Sequence, residues 1–219
     1  MRLLAARVPQ EDVPALYGRL AWVYDVWAAL TESRARVAGL AAAQLRDGER
    51  VLEVAVGTGL LYRELLHQNP TGHTEGVDLT EAMLARARKK VAGHRASHRL
   101  QVGDARRLPF EAQHFDLALN GYLFDLLPEA DFPVVLDELW RVLKPGGRLV
   151  LVNMALAERP WERVYEGLYR LNPRWMGGCR GVELAPFVRQ QGFVAVEVQR
   201  LTQMGFPSEI LRAQRPRPA

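Results

Sequence analysis

Three acidic residues occupy similar places in this sequence, each at or near the end of a short apolar run that is typical of a buried strand. They are Glu53, Asp78 and Asp104. A carboxylate accepts hydrogen bonds from an ammonium group, a ribose diol or an exocyclic amino group. Because the ends of parallel strands meet at one edge of a sheet, the three acids predict one pocket for a small polar ligand.

A glycine turn at residues 57–59 follows the first of these runs, and an apolar helix comes next. Glycine lets the backbone approach a ligand closely, and the first N–H groups of the helix add a partly positive rim. The turn departs from the dinucleotide fingerprint, since Ala55 and Tyr62 occupy its first and third glycine positions. Glu53 would repel a pyrophosphate and suits an ammonium group, so S-adenosylmethionine is the predicted ligand.

Strand and helix patterns alternate around these acids, which predicts a parallel sheet covered on both faces. Strands are predicted at about 50–54, 73–78, 99–102, 115–120 and 148–153, and helices at about 60–68, 80–92 and 132–143. Two helices are predicted before this core, at 13–30 and 31–45, with Thr31 as the N-cap of the second. After the core, helices are predicted near 158–171 and 183–190, and strands at 193–201 and 209–214. A turn over residues 205–207 would join the last two strands.

The set of motifs resembles that of class I S-adenosylmethionine-dependent methyltransferases. It consists of VLEVAVGTG (51–59), GVDLTEAMLARAR (76–88), QVGDARRLPF (101–110), FDLALNGYLFDLLP (115–128) and ELWRVLKPGGRLVLV (138–152). The flanks are similar to the branch of C-methyltransferases that act in ubiquinone and menaquinone biosynthesis, through YGRLAWVYD (17–25), GGCR (177–180) and QMGFPSEILRA (203–213).

The resemblance implies one α/β domain, a Rossmann-like three-layer αβα sandwich. Its seven-stranded sheet would be mostly parallel, with a C-terminal antiparallel hairpin and an N-terminal helical lid. The implied segments are the lid (1–46), a cofactor-binding core (47–153), an acceptor-side insertion (154–192) and the C-terminal strands (193–214).

The resemblance also assigns the cofactor, S-adenosyl-L-methionine, and its product, S-adenosyl-L-homocysteine. The residues implied to bind it are Tyr17, Tyr24, Glu53, Ala55, Gly57, Thr58, Gly59, Asp78, Leu79, Met83, Gly103, Asp104, Ala105, Asn120 and Gly121. The alanine at position 55 is a small change if its backbone is extended and a costly one if φ is positive. We expect the ligand site to survive this change.

Candidate residues for the methyl acceptor follow the fourth strand and the fifth. The substrate candidates are Tyr122, Trp161, Tyr165 and Cys179, although aromatic residues at helical spacing are also typical of core packing. Asp125 is the one candidate for a catalytic base, and a turn or cap residue is an equal interpretation of it. No histidine is expected to be catalytic, because none falls at the ligand-binding end of a strand, and no metal site is predicted.

Composition favours a single cytoplasmic enzyme domain. The 219 residues are 48% hydrophobic with a net charge of +4, and the single cysteine excludes an internal disulfide. We expect no integral membrane segment and no nucleic-acid partner, and a monomer or homodimer. The expected reaction is methyl transfer to a small, apolar acceptor, with a quinone precursor favoured. A phospholipid headgroup amine, a non-catalytic cofactor-binding protein and an NAD-dependent oxidoreductase are the alternatives.

Overall fold

The computed structural model describes residues 28–172 and 178–218. Its strands are β1 (Arg50–Val54), β2 (His73–Asp78), β3 (Ser97–Val102), β4 (Phe115–Gly121), β5 (Leu143–Met154), β6 (Val194–Gln203) and β7 (Phe206–Gln214). Its helices are α1 (Ser33–Ala43), α2 (Leu60–Gln68), α3 (Glu81–Lys90), α4 (Phe132–Val142), α5 (Arg163–Leu171) and α6 (Ala185–Gln190), with a 3₁₀ turn at Glu129–Asp131. None of the described helices is long and apolar enough to cross a bilayer.

The seven strands form one sheet in the order β3-β2-β1-β4-β5-β7-β6. The first five strands pair in parallel, and β7 is antiparallel to both β5 and β6. The predicted sheet, mostly parallel with a C-terminal hairpin, is therefore confirmed. The direction of winding reverses between β1 and β4, and the crevice beyond the carboxyl ends of two such strands is where open α/β sheets bind ligands.

Alternate residues of β5 show why the sheet carries helices on both faces. Leu149 and Leu151 are buried in one apolar cluster together with residues of α4, whereas Val150 and Val152 are buried in another together with residues of α1. Successive side chains of a strand point to opposite faces, so a continuous apolar run requires cover on both sides. This arrangement places the ends of β1 and β4 between two helical layers.

Two predicted strand boundaries differ from the structure. The fifth strand, predicted to begin at about residue 148, already begins at Leu143, which pairs with Phe115 across a β-bulge. The last hairpin turns at Met204 and Gly205, with φ of +51° and +78°, and β7 begins at Phe206. A two-residue turn with both φ values positive matches the twist of a hairpin, so the turn is tighter than predicted.

Two predicted helix starts are also wrong. The N-cap of α1 is Glu32, not Thr31, and it makes no side-chain capping bond. The helix predicted from residue 158 begins at Arg163, because the buried carboxylate of Glu162 accepts the backbone N–H groups of Glu158 and Arg159 at 2.9 and 3.1 Å. These bonds fold the preceding residues into a turn.

The buried hydroxyl of Tyr62 on α2 lies 2.8 Å from the carbonyl oxygen of Thr74 and 3.0 Å from that of Arg99, so it links β2 to β3. Replacing Tyr62 with Phe should lower the free energy of unfolding by about 1 kcal/mol, because buried carbonyls lose their donor. Urea denaturation measures the change. Tyr165→Phe is the control, because it removes a hydroxyl from the more exposed carbonyl of Met204. It should lower the free energy of unfolding by less than Tyr62→Phe does. Equal losses of stability would contradict this account.

Candidate active site

Two adjoining cavities lie at the carboxyl ends of β1 and β4. The large cavity has a volume of about 860 Å³ and the small cavity about 520 Å³, each measured with its open mouth. They share the wall residues Ala55, Gly57, Gly121 and Tyr122. The glycine turn and the end of β4 thus form the junction between two compartments of one site.

Most of the residues predicted to bind the cofactor line one cavity or the other. The large cavity is also lined by Asp78, Leu79, Met83, Gly103, Asp104 and Ala105, and the small cavity by Glu53 and Thr58. Gly59 and Asn120 are outside both linings. Tyr17 and Tyr24 lie outside the described residues, so their predicted part in binding is unchanged.

Asp78 connects the end of β2 to the glycine turn. Its Oδ2 accepts the N–H of Gly57 at 2.8 Å, and its Oδ1 accepts the N–H of Thr80 at 2.9 Å. Burial raises the pKa of Asp78, and these backbone donors act in the opposite direction. Each carboxylate oxygen has a second lone pair, so Asp78 can hold the turn and still accept a hydrogen bond from a ligand in the large cavity.

Glu53 differs from Asp78 because one of its oxygens has no partner. Its side chain is buried on β1 against the small cavity, and Oε2 makes no hydrogen bond to any residue that the structure describes. Burial raises the pKa of Glu53 well above its ordinary value, nearby Asp78 raises it further, and Arg36 opposes them. A buried carboxylate oxygen without a donor is costly, so the site is suited to a ligand that brings a cationic donor.

Two further charged residues of the small cavity, Glu32 and Arg36, were not predicted from the sequence. They lie four residues apart at the start of α1, so they share one side of that helix. The i, i+4 spacing was visible in the sequence, but nothing local to it indicated that the start of α1 would line a cavity together with Glu53. One guanidinium and two carboxylates around a cavity complement a zwitterion, which carries both an ammonium and a carboxylate group.

Asp104 on the wall of the large cavity is paired with a residue that was not predicted either. Its carboxylate accepts hydrogen bonds from Nε and Nη2 of Arg106, the shortest at 2.8 Å, and Arg106 also bonds Asp131 at 3.2 Å. These bonds hold the pKa of Asp104 below its usual range. Arg106 lines the cavity as well, so the guanidinium fixes the position of the carboxylate at its rim.

Comparisons with known proteins agree with this geometry. A sequence family described as "Methyltransferase domain" matches residues 51–147. The demethylmenaquinone methyltransferase of Lactobacillus johnsonii is 32% identical over 180 residues, which cover 78% of this chain and 73% of that protein. The chain belongs to the S-adenosylmethionine-dependent methyltransferases. S-adenosylmethionine, and not a nicotinamide dinucleotide, is the cofactor of this family.

Two further similarities concern a shorter part of the chain and the fold alone. The demethylmenaquinone methyltransferase of Deinococcus radiodurans is 41% identical over 118 residues, and the match spans 54% of this chain and only 48% of that protein. The solved structure of the [4+2]-cyclase SpnF superposes with a TM-score of 0.75 over 99% of both chains, at 17% identity. The second similarity concerns the fold alone, and it shows that this fold also carries reactions of another kind.

The substrate candidates of this methyltransferase are spread over different environments. Tyr122 lies at the junction of the cavities, and its hydroxyl is 2.8 Å from that of Ser208. Tyr165 donates to the carbonyl of Met204 at 2.8 Å, Trp161 is exposed and Cys179 is buried; none of these three lines either cavity. Tyr122 is therefore the one of these four candidates that lines the two cavities.

Asp125 is fully buried in this methyltransferase and lines neither cavity. Its Oδ2 accepts the N–H of Met154 at 2.8 Å, and the amide of Asn153, turned to donate, lies 3.2 Å from Oδ1. Burial raises its pKa well above the ordinary value, a bond to the Met154 N–H lowers it, and Arg180 lowers it as well. These bonds show that Asp125 tethers the end of β5, and its role as a base stays a prediction.

Asn120 and Gly59 line neither cavity and hold together the elements that form the site. The amide of Asn120 donates to the carbonyl of Val54 at 3.0 Å and joins β4 to β1 at the point where the winding reverses. Its Oδ1 is buried and has no partner among the residues of 28–172 and 178–218. A Cβ at Gly59 would lie 2.9 Å from Cα of Ala87, so this glycine allows α2 to pack closely on α3.

The backbone is left-handed at both non-glycine residues of the cavity junction. Ala55 has φ of +60° and Tyr122 has φ of +56°. The backbone at Ala55 therefore has a positive φ, which is the costly alternative of the two considered from the sequence. The methyltransferase keeps a strained conformation where its two cavities meet, which is common at ligand sites.

Ala55→Gly should raise the free energy of unfolding by about 0.5–1 kcal/mol, because glycine adopts a positive φ without the Cβ penalty. Gly57, whose φ is +57° and whose Cβ would meet nothing within 4 Å, is the matched reverse case. Gly57→Ala should lower the free energy of unfolding by about 1 kcal/mol, because the added Cβ is strained at a positive φ. Thermal and urea unfolding of both variants measure the two changes in stability. A destabilised Ala55→Gly would mean that the alanine methyl is needed for packing.

Proposed function

We propose that this protein transfers the methyl group of S-adenosylmethionine to a ring carbon of a lipophilic quinone precursor. The observation that carries the proposal is the unpartnered, buried carboxylate oxygen of Glu53, which faces the small cavity beside Arg36. This charge pattern suits the amino-acid end of the cofactor. The choice of acceptor is supported by the names of the relatives.

In the proposed binding mode the two cavities divide the cofactor between them. The ammonium group bonds to Glu53 and the carboxylate group to Arg36 in the small cavity. In the large cavity Asp78 accepts the ribose hydroxyls and Asp104 accepts the adenine amino group. The apolar side chains of Leu79 and Met83, together with Gly103 and Ala105, form the walls around the adenine ring.

The bound cofactor supplies an electrophilic methyl group on a sulfonium, and the protein's task is alignment and exclusion of water. Gly121 and Tyr122 lie at the cavity junction, so they are the residues proposed to flank the methionine side chain and the acceptor. Tyr17 and Tyr24, in the proposed lid of residues 1–46, would close over the sulfonium through cation–π attraction. Asp125 remains the candidate base for an acceptor that must lose a proton.

The insertion of residues 154–192 is proposed to select the acceptor. It holds the substrate candidates Trp161, Tyr165 and Cys179, and it follows β5 directly. Tyr165 packs edge-on against Phe206 with ring centroids 5.4 Å apart, and Phe206 lies 6.0 Å from the ring of Tyr122. Aromatic residues therefore connect the insertion to the cavity junction. We propose a cytoplasmic protein that acts as a monomer or homodimer.

Replacing Glu53 with Gln should weaken S-adenosylmethionine binding by about ten-fold or more, because an amide cannot offer a charged acceptor to the ammonium group. Binding should also release protons, since the carboxyl group has a raised pKa when free and must ionise to bind. The affinity of the wild type should therefore rise with pH above the range in which an ordinary glutamate ionises. Isothermal titration in buffers of different ionisation enthalpy measures both effects.

Glu75→Gln is the matched control for this variant. Glu75 is also a buried strand carboxylate with an unpartnered oxygen, but it lies outside both cavities and bonds His73 at 3.0 Å. It should leave the cofactor affinity and the proton release unchanged. Equal behaviour of the two variants would place the ammonium group elsewhere.

Incubation with methyl-tritiated S-adenosylmethionine and a reduced demethylmenaquinone should transfer label to the quinone ring. Phosphatidylethanolamine in a parallel incubation tests a headgroup amine as the acceptor, and a mixture without acceptor gives the background. Asp78→Ala should reduce transfer by about ten-fold or more at limiting cofactor, because it removes a charged hydrogen-bond acceptor. Label in the phospholipid alone would overturn the proposed acceptor, and cofactor binding without transfer to any acceptor would overturn the proposed reaction.

A further inference from the structure

A further cavity lies at the amino ends of β1 and β4, opposite to the candidate active site. Its walls include Glu49, which directly precedes β1, and Asp116, the second residue of β4. Its volume is about 720 Å³, measured with its open mouth. A strand rises about 3.3 Å per residue, so the length of β1 places about 13 Å of sheet between this cavity and the cofactor cavities.

Positive charge dominates the walls of this further cavity. Its described lining residues include two acids, Glu49 and Asp116, and one apolar side chain, that of Pro145. The basic residues of the lining are Arg46, Lys144, Arg148, Arg212 and Arg217, and we call the space between them the basic cavity. Five basic and two acidic residues leave an excess of three positive charges.

Both acids of the basic cavity already have a cationic partner. Nζ of Lys144 lies 2.7 Å from Oδ1 of Asp116, and Arg148 forms an ion pair with Glu49. Burial acts to raise the pKa of Asp116, but its bonds to Lys144 and to a backbone N–H hold that pKa below its usual range. A ligand in the basic cavity therefore meets acids that are already neutralised, together with the excess of positive charge.

The tail after β7 is fixed against the sheet, which gives Arg217 a defined position. The N–H of Arg215 donates to the carbonyl of Gly147 at 2.9 Å, and the N–H of Gly146 donates to the carbonyl of Arg215 at 2.8 Å. The guanidinium of Arg215 also stacks on the ring of Trp140 at 5.1 Å. Arg217 lies over the turn at Gly146, where an added Cβ would be 2.8 Å from its Nε.

The three arginines in excess differ in how firmly they are held. Arg212 on β7 donates to the side-chain oxygen of Gln44 at 2.8 Å, and its nearest acid, Glu197, is 3.7 Å away. Arg46 and Arg217 are exposed, and their guanidinium groups bond no residue within 28–172 and 178–218. A guanidinium carries five N–H donors, so these two side chains can bind a ligand without losing a bond inside the protein.

Several guanidinium groups around one polar cavity are suited to phosphate groups. A guanidinium offers a phosphate two parallel N–H bonds, and such charged bonds are stronger than neutral ones. An excess of three charges matches a diphosphate, because two phosphate groups carry about three negative charges near neutral pH. The described walls include no aromatic side chain, so a nucleobase would find no surface on which to stack.

We propose that the basic cavity binds a diphosphate group, and that the free diphosphate ion is its ligand. Arg46, Arg212 and Arg217 bind the phosphates, while Lys144 and Arg148 stay paired with their acids and add to the positive field. This inference goes beyond methyl transfer, because none of these residues lines the cofactor cavities.

Isothermal titration of the full chain with inorganic diphosphate, in a buffer without divalent cations, tests the proposal. Diphosphate should bind at least ten-fold more tightly than sulfate, because a single tetrahedral anion reaches fewer of the arginines. A parallel titration with ADP separates the two sources of a diphosphate group. ADP should bind no more tightly than diphosphate, since the walls offer nothing to the nucleoside.

Arg46→Gln combined with Arg217→Gln should weaken diphosphate binding by about ten-fold or more, because each substitution removes a charged donor. Arg95→Gln combined with Arg189→Gln is the matched control. It removes the same charge from exposed positions outside the basic cavity, and it should bind diphosphate like the wild type. Circular dichroism and the melting temperature verify that both double variants are folded.

Titration with S-adenosylmethionine shows whether the two sites are independent. The Arg46 and Arg217 double variant should bind S-adenosylmethionine like the wild type, and Glu53→Gln should bind diphosphate like the wild type. Displacement of diphosphate by S-adenosylmethionine would place the anion in the cofactor site and overturn the proposal. A failed proposal for the cofactor or the acceptor would leave the diphosphate titrations unchanged.

Three other results would contradict a diphosphate site in the basic cavity. They are the absence of diphosphate binding, an equal loss of affinity in the matched control, and an ADP affinity at least ten-fold above that of diphosphate. A DNA duplex that binds through Arg46 and Arg217 more tightly than diphosphate would likewise overturn the proposal, because it would make the cavity part of a nucleic-acid surface.

Discussion

The hydrogen bond from the Gly57 N–H to the carboxylate of Asp78 fixes the geometry on which the rest of the site depends. It ties the turn after β1 to the end of β2 at 2.8 Å. A buried carboxylate must find donors, and a turn with its N–H groups free must find an acceptor, so each satisfies the other. Gly57 belongs to the walls of both cavities, and this single bond therefore positions both compartments.

The three acids at the strand ends are all carboxylates, but they differ in their hydrogen-bond partners. Asp78 is satisfied by backbone, Asp104 by Arg106, and Glu53 retains a buried oxygen without a donor. The bonds of Asp78 and Asp104 fix the walls of the site, whereas Glu53 has an oxygen that can still accept a hydrogen bond from a ligand. Arg36 lies close enough to oppose the raised pKa of Glu53, so the small cavity presents both signs of charge. This difference is the basis of the proposed orientation of the cofactor.

The fold by itself does not define the reaction. SpnF shares the architecture over nearly its whole length and is a [4+2]-cyclase, so function has to be argued from the residues of the site. In this chain those residues include two strained positions, Ala55 and Tyr122, where non-glycine backbone is left-handed. Packing around the cavity junction maintains this strain, and the acceptor is proposed to bind beside it. The proposed specificity therefore depends on a small part of the structure.

The sequence by itself determined the order of the elements and the three carboxylates at the strand ends, because strand periodicity and glycine turns are local patterns. It also predicted the parallel sheet and its hairpin. Only the tertiary structure decided that Arg36 on α1 faces Glu53, that Arg106 holds Asp104, that Asp125 is tethered to β5, and that φ of Ala55 is positive. The side-chain contacts arise from packing between elements, and the handedness of a turn depends on the bonds that close it, so neither has a local signature.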